Sequence, residues 1–235
     1  MRILEAFNQY FEMIPANTDE LRQEVYKLRY QVYCLEHKFL EPSAEGMEYD
    51  EYDAHSCHYL IQHKETKSYM ATTRLILPSN KNIEELFPAE IHSQIDNTEL
   101  LKTVPRANLA ELSRFCVSKD FRRRAGEQDL LITYDMNGNL SRGKNSSASI
   151  TLALFAGAIK MSSEHNIQCW IASIEPALKR VVEPLGIHII KIGSLADYHG
   201  MRFPCTIKVD KLLQDVGEKN PEYLEMLTGK KTSTL

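Results

Sequence analysis

Apolar positions in this chain change their spacing several times, and each change marks an element. Leu21, Val25, Leu28, Val32 and Leu35 recur at steps of three and four, one face of a helix. Asn17 with Glu20 three residues later forms a capping-box pair that predicts its start. Two short apolar runs follow at residues 57–62 and 70–77, the second stopped by Pro78, and they predict an antiparallel pair. Residues 79–106 are polar with scattered apolar side chains such as Leu86, Phe87 and Ile91, and predict short helices and loop. The segment LAELSRFCV at 109–117 then reads as a buried strand.

The second half opens with the basic stretch KDFRRRAGEQ and a Gly/Asn/Ser-rich segment at 137–147 that predicts a loop inserted within one domain. Residues 148–165 are apolar nearly all round at first, the mark of a helix buried against a sheet. Strands are predicted at 168–174, 187–193 and 205–210, with a helix opened by Pro176 between the first two. The succession predicts a single α/β (α+β) domain over 1–235, with a mixed central sheet flanked by helices. Its core spans about 17–210, and 211–235 form a C-terminal helix or tail.

Composition narrows the setting. The formal charge of -4 gives no general reason to expect nucleic acid, although a local basic patch can attract an anionic partner. Cys34, Cys57, Cys116, Cys169 and Cys205 include no CxxC pair and are odd in number, which fits reduced thiols in a cytoplasmic protein. The first twenty residues lack the uninterrupted apolar stretch of a secretion signal, and no segment reaches the roughly 18 apolar residues of a membrane helix. No metal-like spacing of His, Cys and Asp is present, so no metal is expected.

Four motifs stand in order: LRYQVY at 28–33, GMEYDEYD at 46–53, TTRLIL at 72–77 and ELSRF at 111–115. They resemble the motifs of the acyl-homoserine-lactone synthases and the related N-acyl amino acid synthases. The later segments FRRRAGE, ITLALF, EPALKR, GIHIIKIG and DYHGMRFPC are similar to acyltransferases associated with the PEP-CTERM/exosortase system. The resemblance covers most of residues 20–210 and implies a GNAT-like acyltransferase fold with a bulged or splayed central strand. It places the family's first-helix arginine and aromatic on Arg29 and Tyr33. A downstream aromatic, usually tryptophan in the lactone synthases, falls on Phe39, a departure. The acidic motif falls on Glu48, Asp50 and Asp53, the strand arginine on Arg74, and the glutamate–arginine pair on Glu111 and Arg114.

Such charges fold only if they satisfy one another, since an unpaired buried carboxylate or guanidinium is costly. A shared polar network is therefore expected, in which Arg29, Asp50, Asp53 and Arg114 either staple the N-terminal segment over the sheet or serve the reaction. Amide formation needs a neutral amine, and Glu111 is the leading candidate for the base that removes its proton, directly or through water. On a regular strand Glu111 and Arg114 point to opposite faces, so a bulge must intervene if both serve one pocket. Cys116 is the rival nucleophile, but no histidine stands at an interpretable spacing and a cysteine on an apolar strand usually packs in the core.

The turn Arg122, Arg123, Arg124, Gly126 occupies the place where the wider fold grips a pyrophosphate. Its second glycine is replaced by Gln128, which suits one phosphopantetheine phosphate and an acidic acyl-carrier protein better than all of acyl-CoA, if it is not simply a solvated basic turn. Leu152, Leu154, Phe155, Ile159, Trp170 and Ile171 either line a tunnel for a fatty chain or are plain core. Glu175, His199 and Arg202, with Asp197 and Tyr198 nearby, are of types suited to holding an amino acid or to fixing a loop.

The resemblance implies an enzyme that moves a fatty acyl group from an acyl-carrier-protein thioester to the amine of an amino acid. No tightly bound cofactor is required, and the product could pass to the membrane. The alternatives are lactone synthesis on S-adenosylmethionine and a non-catalytic module that binds lipid or carrier protein.

Overall fold

The computed structural model describes residues 3–119, 147–197 and 200–230. Helix α1 (Ile3–Tyr10) runs directly into strand β1 (Phe11–Pro15). Helix α2 (Asp19–Arg29) follows and continues as a π-helical segment over Tyr30–Glu36. Strands β2 (Ser56–His63) and β3 (Tyr69–Ile76) lead through the short helices α3 (Pro88–His92) and α4 (Glu99–Lys102) to β4 (Leu109–Val117). The second half holds α5 (Ser147–Glu164), β5 (Cys169–Ile174), α6 (Pro176–Val182), β6 (Ile190–Lys191), β7 (Ala196–Asp197), β8 (Met201–Lys208), α7 (Val209–Lys219) and α8 (Pro221–Thr228).

The strands form one mixed sheet in the order β1-β2-β3-β4-β5-β8-β6, with β7 paired to β8. Every pairing is antiparallel except β4 with β5. The nearly all-apolar α5 packs on one face, where Leu152, Leu154, Phe155 and Ala158 join Leu75, Ala110 and Trp170. The other face carries α2, through Val25, Leu28 and Val32 against Leu60, and a cluster in which Phe87 and Ala89 meet Leu109 and Ile171. This is the mixed α/β, GNAT-like arrangement that the sequence predicts.

Several boundaries differ. The cap of α2 is Thr18, whose hydroxyl accepts the Leu21 N–H, one residue later than the expected Asn17. Leu35 is exposed although it continues the apolar spacing, because the wider π turns rotate the end of the helix away from the sheet. The core also reaches beyond 17–210: Ile3, Phe7 and Phe11 at one end and Met226 and Leu227 at the other are buried with it. The strand expected at 187–193 contains only Ile190–Lys191, whereas the strand expected at 205–210 is β8, which runs earlier, over Met201–Lys208. Among the described residues no helix is long and apolar enough to cross a membrane.

Strand β4 is irregular on both of its edges. Opposite β3, Thr72 pairs with Cys116 but Arg74 pairs with Ser113, so β4 carries one extra residue, and Arg114 there adopts a left-handed φ of 49°. Opposite β5, pairing runs from Leu109 to Glu111 and then ends, although β4 continues to Val117. The sheet is bulged on one side of β4 and splayed on the other.

Candidate active site

The acidic motif lies on the segment between α2 and β2, and a 3₁₀ turn at Glu51–His55 presents its last member. The Asp50 carboxylate accepts the Tyr52 N–H at 3.0 Å, and Asp53 accepts the Asp50 N–H at 2.8 Å. Three guanidiniums from three elements complete the cluster. Arg29 of α2 donates to Glu48 at 2.5 Å and, through both terminal nitrogens, to Asp53 at 2.7 and 3.1 Å. Arg74 of β3 donates to Asp50 at 2.6 Å, to Asp53 at 3.1 Å and to the Ser113 hydroxyl at 3.1 Å. Arg114, turned by the bulge, reaches Glu48 at 2.8 Å and Asp50 at 3.2 Å.

Three carboxylates thus meet three guanidiniums, and the group is formally neutral. Burial opposes ionisation of Glu48, but hydrogen bonds from Arg29 and Arg114 prevail and hold its carboxyl at about 2. Asp53 is likewise kept well below the usual carboxylate range, burial being outweighed by Arg29 and Arg74. His58, which the sequence reading passed over, lies against this network with its Nε2 3.5 Å from Asp53. Burial pushes its imidazole down to about 3, and neither ring nitrogen has a hydrogen-bond partner among the described residues.

Where β4 and β5 part, a cavity of about 330 Å³ opens. Of its charged lining residues Arg114, Arg202 and Glu175 reach solvent, at 23%, 20% and 47% exposure, whereas Ile150, Phe155, Val181, Ile189 and Ile207 are buried. The cavity therefore runs from a polar rim to an apolar interior. Of the expected tunnel residues only Phe155 lines it; Leu152, Leu154, Ile159, Trp170 and Ile171 are core. Trp170 is fully buried behind Phe155, at 6.1 Å between ring centroids, and its indole N–H donates to Ser162 at 2.8 Å.

Glu111 faces this cavity and is 4% exposed. One carboxylate oxygen accepts the Ala89 N–H at 2.7 Å, and the other carries no hydrogen bond from the described residues. Burial pushes the carboxyl up to about 7, against the Ala89 hydrogen bond and the charges of Arg74 and Arg114. The bulge and the splay bring Glu111 and Arg114, three residues apart, to line the same cavity. Cys116 also lines it, but burial pushes its thiol up to about 12, which leaves no thiolate for attack.

The remaining expected residues sort by position. Tyr33 and Phe39 line the cavity; Arg114 lies over the Tyr33 ring at 5.4 Å and Arg202 over the Phe39 ring at 5.7 Å. Arg202 also pairs with Glu175 at 3.4 Å, so these rim residues form one group. His37, missed by the sequence reading, stacks on Phe39 at 5.1 Å. Asp197 lies on β7 and accepts the Gly200 N–H. Arg122, Arg123, Arg124, Gly126, Tyr198 and His199 lie outside the described residues. Ala89 has no chemical signature in sequence; the Phe-Pro pair and Glu90 beside it are the turn signal that could have located it. Among the described residues no three His, Cys, Asp or Glu side chains are placed to hold a metal.

Comparison with known proteins matches this geometry to a fold. A model of the acetyltransferase (GNAT) domain matches residues 28–131. An acyl-homoserine-lactone synthase from Vibrio anguillarum is 24% identical over 173 residues, 72% of this chain and 74% of that protein. The CoA-dependent acyl-homoserine lactone synthase BjaI, solved with MTA, superposes with a TM-score of 0.60 at 15% identity, covering 95% of this chain and 92% of BjaI. FeeM, an N-acyl amino acid synthase from uncultured soil microbes, gives 0.53 at 14% identity, covering 89% and 96%. The chain has a GNAT-like acyltransferase fold, which it shares with BjaI and FeeM, and over 72% of its length it is similar in sequence to an acyl-homoserine-lactone synthase.

Proposed function

We propose that this protein is an N-acyltransferase that moves a fatty acyl group from an acyl-carrier-protein thioester to the amine of an amino acid. The observation that carries the reading is Glu111: a buried carboxyl whose proton affinity lies near neutrality, between a charged rim and an apolar cavity. A base of that strength is matched to taking a proton from the attacking amine at neutral pH. With the ammonium proton released to solvent, the neutral amine attacks the thioester carbon and passes a proton to Glu111. The carbon–sulfur bond breaks, and Glu111 gives that proton to the departing thiolate so that the carrier leaves as its thiol. Backbone N–H groups on the unpaired stretch of β4 are suited to hold the thioester oxygen as negative charge develops on it. The apolar part of the cavity takes the acyl chain, at roughly 0.8 kcal/mol per buried methylene.

Arg202, Glu175, Phe39 and Tyr33 at the rim are assigned to the acceptor, with His199 as a candidate beside them. Arg122, Arg123, Arg124 and Gly126 are assigned to the donor's phosphopantetheine phosphate. The saturated network of Arg29, Arg74, Glu48, Asp50 and Asp53 gives rigidity to the wall that holds Arg114. A second reading, acylation of S-adenosylmethionine followed by lactone closure, is supported by the relatives that are lactone synthases. Mass spectrometry of reactions with C8 to C16 acyl-carrier proteins, an amino-acid pool and S-adenosylmethionine separates the two. An N-acyl amino acid supports the proposal, an acyl-homoserine lactone supports the second reading, and product from neither acceptor refutes both.

A further inference from the structure

Glu111 owes its position to a contact formed by residues that lie outside the cavity. Its hydrogen-bond donor, Ala89 N–H, belongs to α3, a helix of five residues, too short to hold its shape unaided. Three contacts fix the start of that helix. The Glu90 carboxylate accepts the Phe87 N–H at 2.8 Å, Arg106 grips both Glu90 oxygens at 2.8 and 2.7 Å, and the Arg106 guanidinium lies 4.3 Å over the Phe87 ring. Arg106 also donates to the Glu85 carbonyl at 2.5 Å. Both members of the pair are largely sheltered, at 16% and 12% side-chain exposure. Arg106 opens the 3₁₀ turn Arg106–Asn108 that leads straight into β4, five residues before Glu111. One ion pair thus joins the segment that carries the donor to the segment that carries the acceptor.

We infer that Arg106 and Glu90 are positioning residues for Glu111, holding α3 so that the Ala89 N–H meets its carboxylate. This rests on Glu111 acting as the base in the acyl transfer proposed above. The Ala89 hydrogen bond favours the ionised carboxylate, so losing it raises the pH at which Glu111 gives up its proton. The charged and titratable groups that face Glu111 are Arg74 on β3, Arg114 on β4, Asp50 and Tyr52 on the acidic segment and Cys205 on β8. The same cavity is lined by Tyr33, His37, Cys116, Glu175 and Arg202. Arg74 and Arg114 both pair with Asp50, and burial pushes the Tyr52 hydroxyl and the Cys205 thiol up. From β5 and α5 the described cavity residues include Ala172, Ser173 and Phe155, which do not titrate.

The test compares the parent protein with Arg106→Gln, Arg106→Lys and the milder Glu90→Gln, which can still accept the Phe87 N–H. Two curves are read for each: the pH dependence of kcat/KM, and the titration of ¹³C-labelled glutamate carboxyls, with the Glu111 resonance assigned by its loss in Glu111→Gln. Arg106→Gln and Glu90→Gln are expected to move both midpoints up by about one pH unit, a roughly tenfold change in proton affinity, leaving the acyl-donor KM unchanged. Arg106→Lys restores part of the shift. An unmoved Glu111 midpoint, even with a lowered melting temperature, overturns the inference, because a purely structural pair lowers stability alone. If Arg106→Gln does not fold, Glu90→Gln decides. Full turnover by Glu111→Gln instead overturns the catalytic reading, so the two failures are distinguishable.

Discussion

The charged network and the Glu111 cavity lie on the two sides of the same bulge and use the same side-chain types to opposite ends. In the network every carboxylate has a guanidinium and every guanidinium a carboxylate, and Glu48 and Asp53 are held ionised far below neutrality. In the cavity one carboxylate has a single N–H donor and is held near neutrality. A charge whose partners are all supplied by the fold stabilises it, whereas one left short of partners is ready to exchange a proton. Assigning catalysis to acidic residues thus turns on how many donors each has, more than on which residues they are.

The largest expected effect breaks the first region. Arg29→Ala leaves Glu48 and Asp53 buried without their main partner and is expected to cost about 3 to 5 kcal/mol in urea unfolding. A loss under about 1 kcal/mol would show that the network is solvated in solution. Glu111→Gln breaks the second region: kcat/KM for acyl transfer is expected to fall about 10² to 10⁴-fold while the protein remains folded. Retained turnover would remove Glu111 from the chemistry.

The contrast sharpens with pH, because the two carboxylates have opposite signs of linkage. Glu48 has a folded value of about 2, below its unfolded value, so its contribution is present above the ordinary carboxylate range and is lost as pH falls from about 4.5 toward 2. Glu111 has a folded value of about 7, above its unfolded value, so its cost is absent below pH about 4.5 and grows until pH passes about 7. The stability of Glu111→Gln relative to the parent should therefore rise between pH 4.5 and 7, as measured by denaturant titration at each pH. A flat difference would show that burial does not raise Glu111. The smallest effect is expected at the rim, where Glu175 is 47% exposed and meets Arg202 at 3.4 Å. Glu175→Gln should change stability by less than about 1 kcal/mol while altering the acceptor KM.

Much of this was legible in the sequence because periodicity and residue order carry it. The runs at 57–62, 70–77, 109–117 and 168–174 became β2, β3, β4 and β5, since strands buried on both faces leave uninterrupted apolar stretches. The six network charges and Glu111 were named through the family resemblance that the four ordered motifs carry. Only the start of β8, before the expected 205–210 strand, was hidden, because Pro204 interrupts it; Ile192, just past the edge strand β6, donates its N–H to the Pro204 carbonyl. Helix α1 and strand β1 were too short to stand out, and their burial depends on α5 and α8, far along the chain. The π turns after α2 and the left-handed φ at Arg114 leave no compositional mark. Ala89 escaped notice because a backbone N–H belongs to every residue but proline.

Trp170 is the chain's single tryptophan, enclosed behind a ring that lines the cavity. Its emission therefore comes from one place, separated from any bound acyl chain by the thickness of Phe155. Filling the cavity is expected to disturb the packing of that ring, and a shift in the indole fluorescence would report it. If the proposed function holds, that signal would rank acyl chain lengths by titration in the absence of an acceptor, a label or turnover.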